Sequence, residues 1–332
     1  MSSLVSVVTP FFNTAAYLKE CIASVLAQTY GDFEYLLVDN CSTDGSSQIA
    51  SLAAARDSRV RVVTSAVFRS QTENYNFALS HISAASEYCK IVQADDWIFP
   101  ECLQAMVEVG RRDPRIGIVA AYSLRGTSLR GAGLEIGQWR IEGKVAARMQ
   151  LLGDVFLTGS PSTVMYRSQI VRARDPFYEL DRYHSDTEAA YDIFRHHDLG
   201  FVHQVLSYQR VDDESIMGRR RRYAPHLLDR LTCVHRYGKY FLTAGELTAT
   251  HAIEQRNLIA FLGAALLRGE DATFWKYQTG GYHRMGLHTP WVRIALAALN
   301  RVLSIALNPK CSIETLARAM ARRCRRLLRR TA

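Results

Sequence analysis

The sequence predicts an α/β protein: a Rossmann-like, mainly parallel sheet flanked by helices, followed by a helical C-terminal extension. Three observations point there. VSVVT is a short β-rich run stopped by Pro10, and Tyr17, Cys21, Ile22, Val25 and Leu26 then recur at helical spacing before a second buried run, FEYLLVD. Two more apolar runs, RVRVV and YCKIV, follow at helix-length intervals. The last third of the chain carries only helical patterns. Units of strand, helix and strand make parallel sheets with right-handed crossovers, and ligands bind beyond the carboxyl ends of the strands. The loops after Thr9 and after Val38 therefore lie on the binding edge.

The residues on those loops suit a nucleotide. Phe12 is a loop aromatic able to stack on a base, and Asp39 and Asn40 offer acceptors and an amide to a base edge or to ribose hydroxyls. The plain alternative is that Asp39 and Asp44 only cap a turn and a helix. Asp44-Gly45 turns the chain into a second helix through Ala55. Between Ser70 and Ser83, Tyr75, Ala78, Leu79 and Ile82 mark a helix packed on the sheet, and Arg69 just before it is placed to reach a diphosphate. The run from Tyr88 to Gln93 then ends in Asp95-Asp96, with Pro100 near the start of a helix. A nucleoside diphosphate leaving group calls for a hard divalent cation on oxygen ligands, so a carboxylate pair at a strand end fits Mg²⁺ or Mn²⁺.

Composition narrows the class. The chain has 332 residues, 48% hydrophobic and 22% charged, which is ordinary for a globular protein. No charged-then-apolar leader precedes the first strand, which predicts a cytoplasmic catalytic part. The seven cysteines show no C-x-x-C pair or zinc spacing and read as reduced thiols. The net charge of +9 is concentrated at the end, where residues 310–332 hold eight Lys or Arg against one Glu. That points to an anionic surface as the tail's partner. Nucleic acid is not expected, because no DNA- or RNA-binding motif accompanies the charge.

Pro10-Phe11-Phe12-Asn13 and Asp39-Asn40-Cys41-Ser42-Thr43-Asp44-Gly45 resemble the opening pattern of the family-2 glycosyltransferases, inverting enzymes of the GT-A fold. The resemblance covers about residues 4–217 and implies a nucleotide-sugar site at Pro10, Phe12, Asn13, Asp39, Asn40, Arg69 and Asp95. It implies Asp96 as the direct metal ligand, with Asp95 toward ribose or water. Asn76 matches an internal helix Asn of the family, with local packing as its expected role. Two positions of the opening and metal motifs depart from the pattern: Asn40 stands for a second Asp, and Gln93 for the first acid of the metal motif.

Beyond Pro114 come a buried strand, IGIVAAY, and a Gly-rich run to Trp139 without periodicity, a candidate acceptor-side flap in which Arg125 and Arg130 are placed to steer a phosphate-bearing acceptor. TGSPSTVMYRSQIV reads as a turn, a strand and a short helix. In the next helix Ser185 and Glu188 form an S-x-x-E capping box, and Asp186 lies in the first turn, where the dipole keeps a carboxylate ionised. The resemblance makes Asp186 the base that deprotonates an acceptor hydroxyl. Arg210 and the run Arg219 to Arg222 are further cations for a diphosphate, though the run itself reads as a solvated linker that ends the catalytic domain; Asp212 and Asp213 stand where a family His is often found, so His203 takes no such role.

The expected organisation is a nucleotide-sugar domain over residues 1–217 and a helical extension over 218–332. The extension has helices at Pro225–Phe241, Glu246–Leu267, Asp271–Tyr282, Trp291–Leu307 and Ser312–Arg330. The last of these, residues 311–330, segregates arginines from apolar residues in the manner of an interfacial helix on anionic lipid. The overall expectation is an inverting, metal-dependent transferase, peripheral to the inner face of the plasma membrane, acting on a saccharide or lipid-linked acceptor. The rival reading is a degenerate, non-enzymatic nucleotide-sugar or membrane-binding protein, suggested by Asn40 and Gln93. A sugar-phosphate nucleotidyltransferase would open with a Gly-rich, basic phosphate loop, which Pro10 to Asn13 is not.

Overall fold

The computed structural model describes residues 3–180, 184–211 and 221–307. The chain folds into two compact units, one of Met1–Arg221 with Arg236–Leu247, the other of Arg222–His235 with Thr248–Ala332. The second stretch of the first unit lies C-terminal to the boundary expected at 217.

The first unit opens with β1 (Val5–Phe11), α1 (Ala15–Leu26), β2 (Phe33–Asp39), α2 (Ser46–Arg56), β3 (Val60–Thr64), α3 (Gln71–Leu79) and β4 (Tyr88–Ile91). Strands β1 and β4 are buried along their whole length, as a parallel sheet covered on both faces requires. Helix α1 seals one face with Leu18, Cys21, Ile22 and Val25. The chain continues through β5 (Trp97–Ile98), α4 (Cys102–Arg112), β6 (Ile116–Arg125), β7 (Ser128–Arg130), β8 (Arg140–Ile141), α5 (Gly143–Leu152), β9 (Val164–Arg167), α6 (Ser168–Arg172), α7 (Ser185–Phe194) and β10 (Asp198–Gln209).

Among the described residues the sheet has ten strands, ordered β3-β2-β1-β4-β9-β6-β10-β5, with β7 on β6 and β8 on β10. Strands β3, β2, β1 and β4 pair in parallel, β9 runs antiparallel between β4 and β6, and β10 is parallel to β6. Consequently the carboxyl ends of β1, β2, β4, β6 and β10 and the start of β9 share one edge.

Three local expectations change. The Gly-rich flap begins as a β6–β7 hairpin, Arg125 pairing with Ser128 and Ser123 with Arg130, its turn made by Gly126 at φ +57°. Arg125 and Arg130 are both exposed on it. The capping box at Ser185 does not form: His184 is the N-cap of α7 and no side chain caps it. Glu188 is instead buried, accepting a hydrogen bond from Tyr237 Oη at 3.3 Å and pairing with Arg236 at 3.5 Å. These long-range partners are invisible to a local motif. None of the five cysteines among the described residues is in a disulfide.

The second unit draws on α8 (Pro225–Phe241, to His235), α9 (Ala244–Arg268, from Thr248), α10 (Ala272–Arg284) and α11 (Trp291–Leu307). Leu228, Leu231, Leu258, Leu262, Phe274 and Ile294 form its core. Asp271 caps α10, accepting from Phe274 N at 2.8 Å. Residues 311–330, the expected lipid-facing helix, and Asp212, Asp213, Arg219 and Arg220 lie outside the described residues. No helix among the described residues is long and apolar enough to cross a membrane.

Helix α11 meets α9 at Gly263, where an added Cβ would lie 2.8 Å from both Ala297 Cβ and Ala298 N. Gly263→Val should therefore destabilise the helical unit by about 1–3 kcal/mol through overpacking. Calorimetric unfolding of wild type and variant measures it.

Candidate active site

Two loops at the shared edge are laced together. Asn13, in a left-handed conformation at φ 50°, accepts from Thr43 N at 2.8 Å through Oδ1, and its own N–H donates to Ser42 Oγ at 3.1 Å. Asp44 accepts from Ala15 N at 2.9 Å and from Ser46 N at 3.1 Å, so one carboxylate serves the starts of both α1 and α2. Desolvation opposes its ionisation, but the Ser46 hydroxyl and these N–H donors outweigh it and hold the carboxyl below its usual range. Gly45, at φ +95°, makes the turn that admits this arrangement.

Asp39 is buried at the end of β2, accepting from Ser42 N at 3.0 Å and from Ser47 Oγ. Asn40 is buried too and bonds both main-chain polar groups of one residue: Nδ2 donates to Arg69 O at 2.8 Å and Oδ1 accepts from Arg69 N at 2.9 Å. The Arg69 guanidinium is folded back onto the Phe77 ring at 4.0 Å and bonds Ser65 Oγ and Val67 O. Arg69, expected to reach a diphosphate, thus gives its main chain to Asn40 and its guanidinium to its own loop and to Phe77 in this structure. Phe12, following Pro10 and Phe11 of β1, is 42% exposed with its ring edge-on to Phe68 at 4.8 Å.

The acidic loop after β4 holds the chief surprise. Asp96 is only 4% exposed, and both its oxygens are engaged, Oδ2 by Ser162 Oγ at 2.6 Å and Oδ1 by Arg210 N at 3.1 Å. Burial, and next the neighbouring Asp95 charge, push its carboxyl well above the usual carboxylate range. Each oxygen of Asp96, the expected direct metal ligand, thus accepts one protein hydrogen bond and keeps a further lone pair. Asp95 is the more accessible of the pair. Arg210 closes the loop: Nε donates to Asp95 O at 3.2 Å, the guanidinium lies 4.6 Å from the Tyr17 ring centroid, and it pairs with Glu20 at 2.5 Å.

Beneath this loop sits Lys90, fully buried in β4, whose Nζ donates to Ser162 O at 2.9 Å and Val164 O at 3.3 Å. Burial lowers its pKa. Neither Lys90 nor Ser162 was singled out for the nucleotide site from sequence; the available signal was a lysine inside an otherwise apolar strand.

Aromatic hydroxyls extend the site toward α7. Tyr75 is raised by burial and then by the Asp95 charge, and its hydroxyl is hydrogen-bonded by Gln93. Its ring meets Tyr178 edge-on at 6.0 Å, and Tyr178 Oη is 3.4 Å from Tyr166 Oη. Burial raises both of those tyrosines, and the Asp186 charge contributes to each. Asp186 is half-buried, with Oδ1 accepting from Thr187 N at 2.9 Å. Asn76, expected to pack locally, clamps Tyr178 from 102 positions away, donating to its O at 2.7 Å and accepting from its N at 2.8 Å. His203 is occupied by Tyr122 Oη at 2.9 Å and Gln138 O at 3.2 Å.

Among the described residues no group of three or more His, Cys, Asp or Glu is placed to hold a metal. The donor chemistry fits an open site of one or two carboxylates completed by ligand phosphates and water, the usual habit of Mg²⁺. Two adjacent carboxyls, one pushed toward protonation by burial and by the other's charge, suit a divalent cation electrostatically.

The sequence profile of the family described as glycosyl transferase family 2 matches residues 6–174, just over half of the chain. Over 124 residues the chain is 37% identical to glycosyltransferase GlyG of Streptococcus pneumoniae, covering 37% of this chain and 40% of that protein. Over 120 residues it is 32% identical to the O-antigen biosynthesis protein RfbC of Myxococcus xanthus, covering 35% of this chain and 9% of RfbC. The chain thus spans well under half the length of these relatives. Residues 1–349 of TarS from S. aureus, in complex with UDP-GlcNAc, superpose with a TM-score of 0.60 at 14% identity, over 86% of this chain and 80% of that one. The mannosyltransferase PcManGT from Pyrobaculum calidifontis, in complex with GDP-Man and Mn²⁺, gives 0.56 at 17% identity, over 96% and 80%. At these identities the likeness is one of fold, the GT-A-like α/β fold.

Asp44→Ala removes an acceptor shared by two helix starts and should cost about 1 kcal/mol at pH 7. Because the folded carboxyl titrates below its unfolded value, this contribution is present above the ordinary carboxylate range and is lost as pH falls through the depressed folded value. Urea unfolding of wild type and variant at pH 7 and pH 3 should show the gap narrowing in acid.

Proposed function

The chain belongs to glycosyl transferase family 2, and on that premise we propose that it is an inverting glycosyltransferase that moves a sugar from a nucleotide-diphosphate donor to an acceptor hydroxyl. One observation carries the reading. Parallel strands end together at the edge where Asp39 and Asn40, the Asp95-Asp96 loop and Arg210 stand, with Tyr75 and Tyr178 leading on to the Asp186 charge.

In this reading Phe12 stacks on the base, and the Asp39 and Asn40 segment faces base and ribose, with Pro10 and Asn13 shaping the loop. Asp96, its oxygens oriented by Ser162 and the Arg210 N–H, would hold the divalent ion together with the more accessible Asp95. The chemistry supplied by Mg²⁺ or Mn²⁺ when bound is Lewis-acid stabilisation of the departing diphosphate. Asp186 takes the acceptor's proton as the acceptor oxygen bonds to the anomeric carbon from the face opposite the diphosphate. The glycosidic C–O bond to the diphosphate breaks with its electron pair leaving on the diphosphate, which inverts the centre in a single displacement. The presence of UDP-GlcNAc in TarS and of GDP-Man with Mn²⁺ in PcManGT supports this donor class. The acceptor is a saccharide or lipid-linked intermediate of cell-surface polysaccharide synthesis, a reading supported by the likeness to an O-antigen biosynthesis protein.

Titration calorimetry with UDP, dTDP and GDP, with and without Mn²⁺, tests the donor site. One nucleotide should bind in a metal-dependent way, and Asp95→Ala should abolish that dependence. Asp186→Asn should keep nucleotide affinity within about twofold and lower the transfer rate by about 10²–10⁴. Absence of binding for all three nucleotides sinks the donor site, and unchanged turnover in Asp186→Asn sinks the base.

A further inference from the structure

We infer that the exposed face of α11 is a docking surface for an anionic lipid bilayer. Helix α11 buries only Ile294 and Ala298, against α9. Val292, Leu296, Leu299, Leu303 and Leu307 recur three or four positions apart, so they form one stripe along the helix, and all are exposed, Leu296 by 53% and Leu307 by 76%. A stripe this long, on 17 residues and so about 26 Å, exceeds the scattered apolar residues of an ordinary protein surface.

The charge pattern selects the occupant. The helix has no acidic residue, and Arg293, Asn300, Arg301 and Ser304 lie together on a face distinct from the apolar stripe. The sequence that follows adds eight Lys or Arg against one Glu in residues 310–332. Trp291, half-exposed beside Trp275 at 5.1 Å, stands at the start of the helix, a residue type that favours the level of lipid headgroups. An apolar stripe bordered by cations, too short to span a bilayer, is the composition that lies in the plane of an anionic interface. A bilayer of anionic lipid meets both the leucines and the arginines.

Lipid binding and sugar transfer are separable properties, so the test reads them separately on the full chain. Cosedimentation is measured with vesicles of phosphatidylcholine alone and with 30% phosphatidylglycerol, on wild type and on the Leu296→Gln/Leu303→Gln double variant, which leaves net charge unchanged. The wild type should bind the anionic vesicles, bind the neutral ones at least tenfold more weakly, and weaken further in 1 M salt. The double variant should lose about tenfold or more in anionic-vesicle affinity while retaining the wild-type nucleotide binding and solution mass. Equal binding to both vesicle types, or none, overturns the inference. Full retention of binding by the double variant also overturns it, because contact then rests with residues 310–330 alone. A wild-type dimer that the double variant dissociates would assign the face to a second copy instead.

Discussion

Strands that pair in parallel must end together, and this constraint organises the catalytic face. The register of β1 with β2 and with β4 brings Phe11 beside Asp39 and sets Val92, just past β4, on Val8 O. Every chemically active loop on those strands therefore opens on the same side, before any side chain has been chosen. What the register leaves unsettled is the fate of backbone N–H groups where strands give way to helices. The chain meets that demand with short polar side chains, Asp44, Ser42, Ser46 and Asn13, each bonding the neighbouring loop across about thirty positions. Two helix starts and two loops become one rigid floor.

The second half of the sheet is tied to that floor through a buried carboxylate. Removing Asp96 from water is unfavourable unless hydrogen bonds compensate, and its two donors come from different places, the turn before β9 and the end of β10. Lys90 reaches the same turn from below through two carbonyls, so a buried cation lies within electrostatic reach of the carboxylate without touching it. The antiparallel insertion of β9 between β4 and β6 thereby has a chemical role: it carries Ser162 to Asp96.

Much of this was legible in the sequence because it is periodic. The β-α-β opening, Trp291–Leu307 and Pro225–Phe241 all appear where local spacing places them. What the sequence left open has one cause. Ser185 and Glu188 spell a capping box, yet Glu188 finds Tyr237 and Arg236 49 and 48 positions away, and a buried partner outweighs a solvent-exposed cap. Spacing places Arg69 near a phosphate site, and Phe77, about two helical turns further on, takes its guanidinium in this structure. Spacing places Asp96 on an acidic loop, and its burial there is set by Ser162 and Arg210, 66 and 114 positions away. Spacing reports which residues share a loop; which way each one turns depends on partners brought by the fold.

The departures at Asn40 and Gln93 from the family pattern have local physical reasons, which weighs against degeneracy. Position 40 must donate to Arg69 O and accept from Arg69 N at once, and an amide does both. A carboxylate there would set a second oxygen against Arg69 O, exchanging a hydrogen bond for repulsion inside a buried site. Gln93 follows the same logic three residues before Asp96. An acid at that position would be a third negative charge in a four-residue loop whose one buried carboxyl is already pushed up by burial and by Asp95. The neutral amide keeps a hydrogen bond to the Tyr75 hydroxyl without adding to that repulsion. Both substitutions preserve the geometry that places Asp95 and Asp39 at the edge, so the loop is adapted to its own neighbours and loses none of the acids that the proposed chemistry uses.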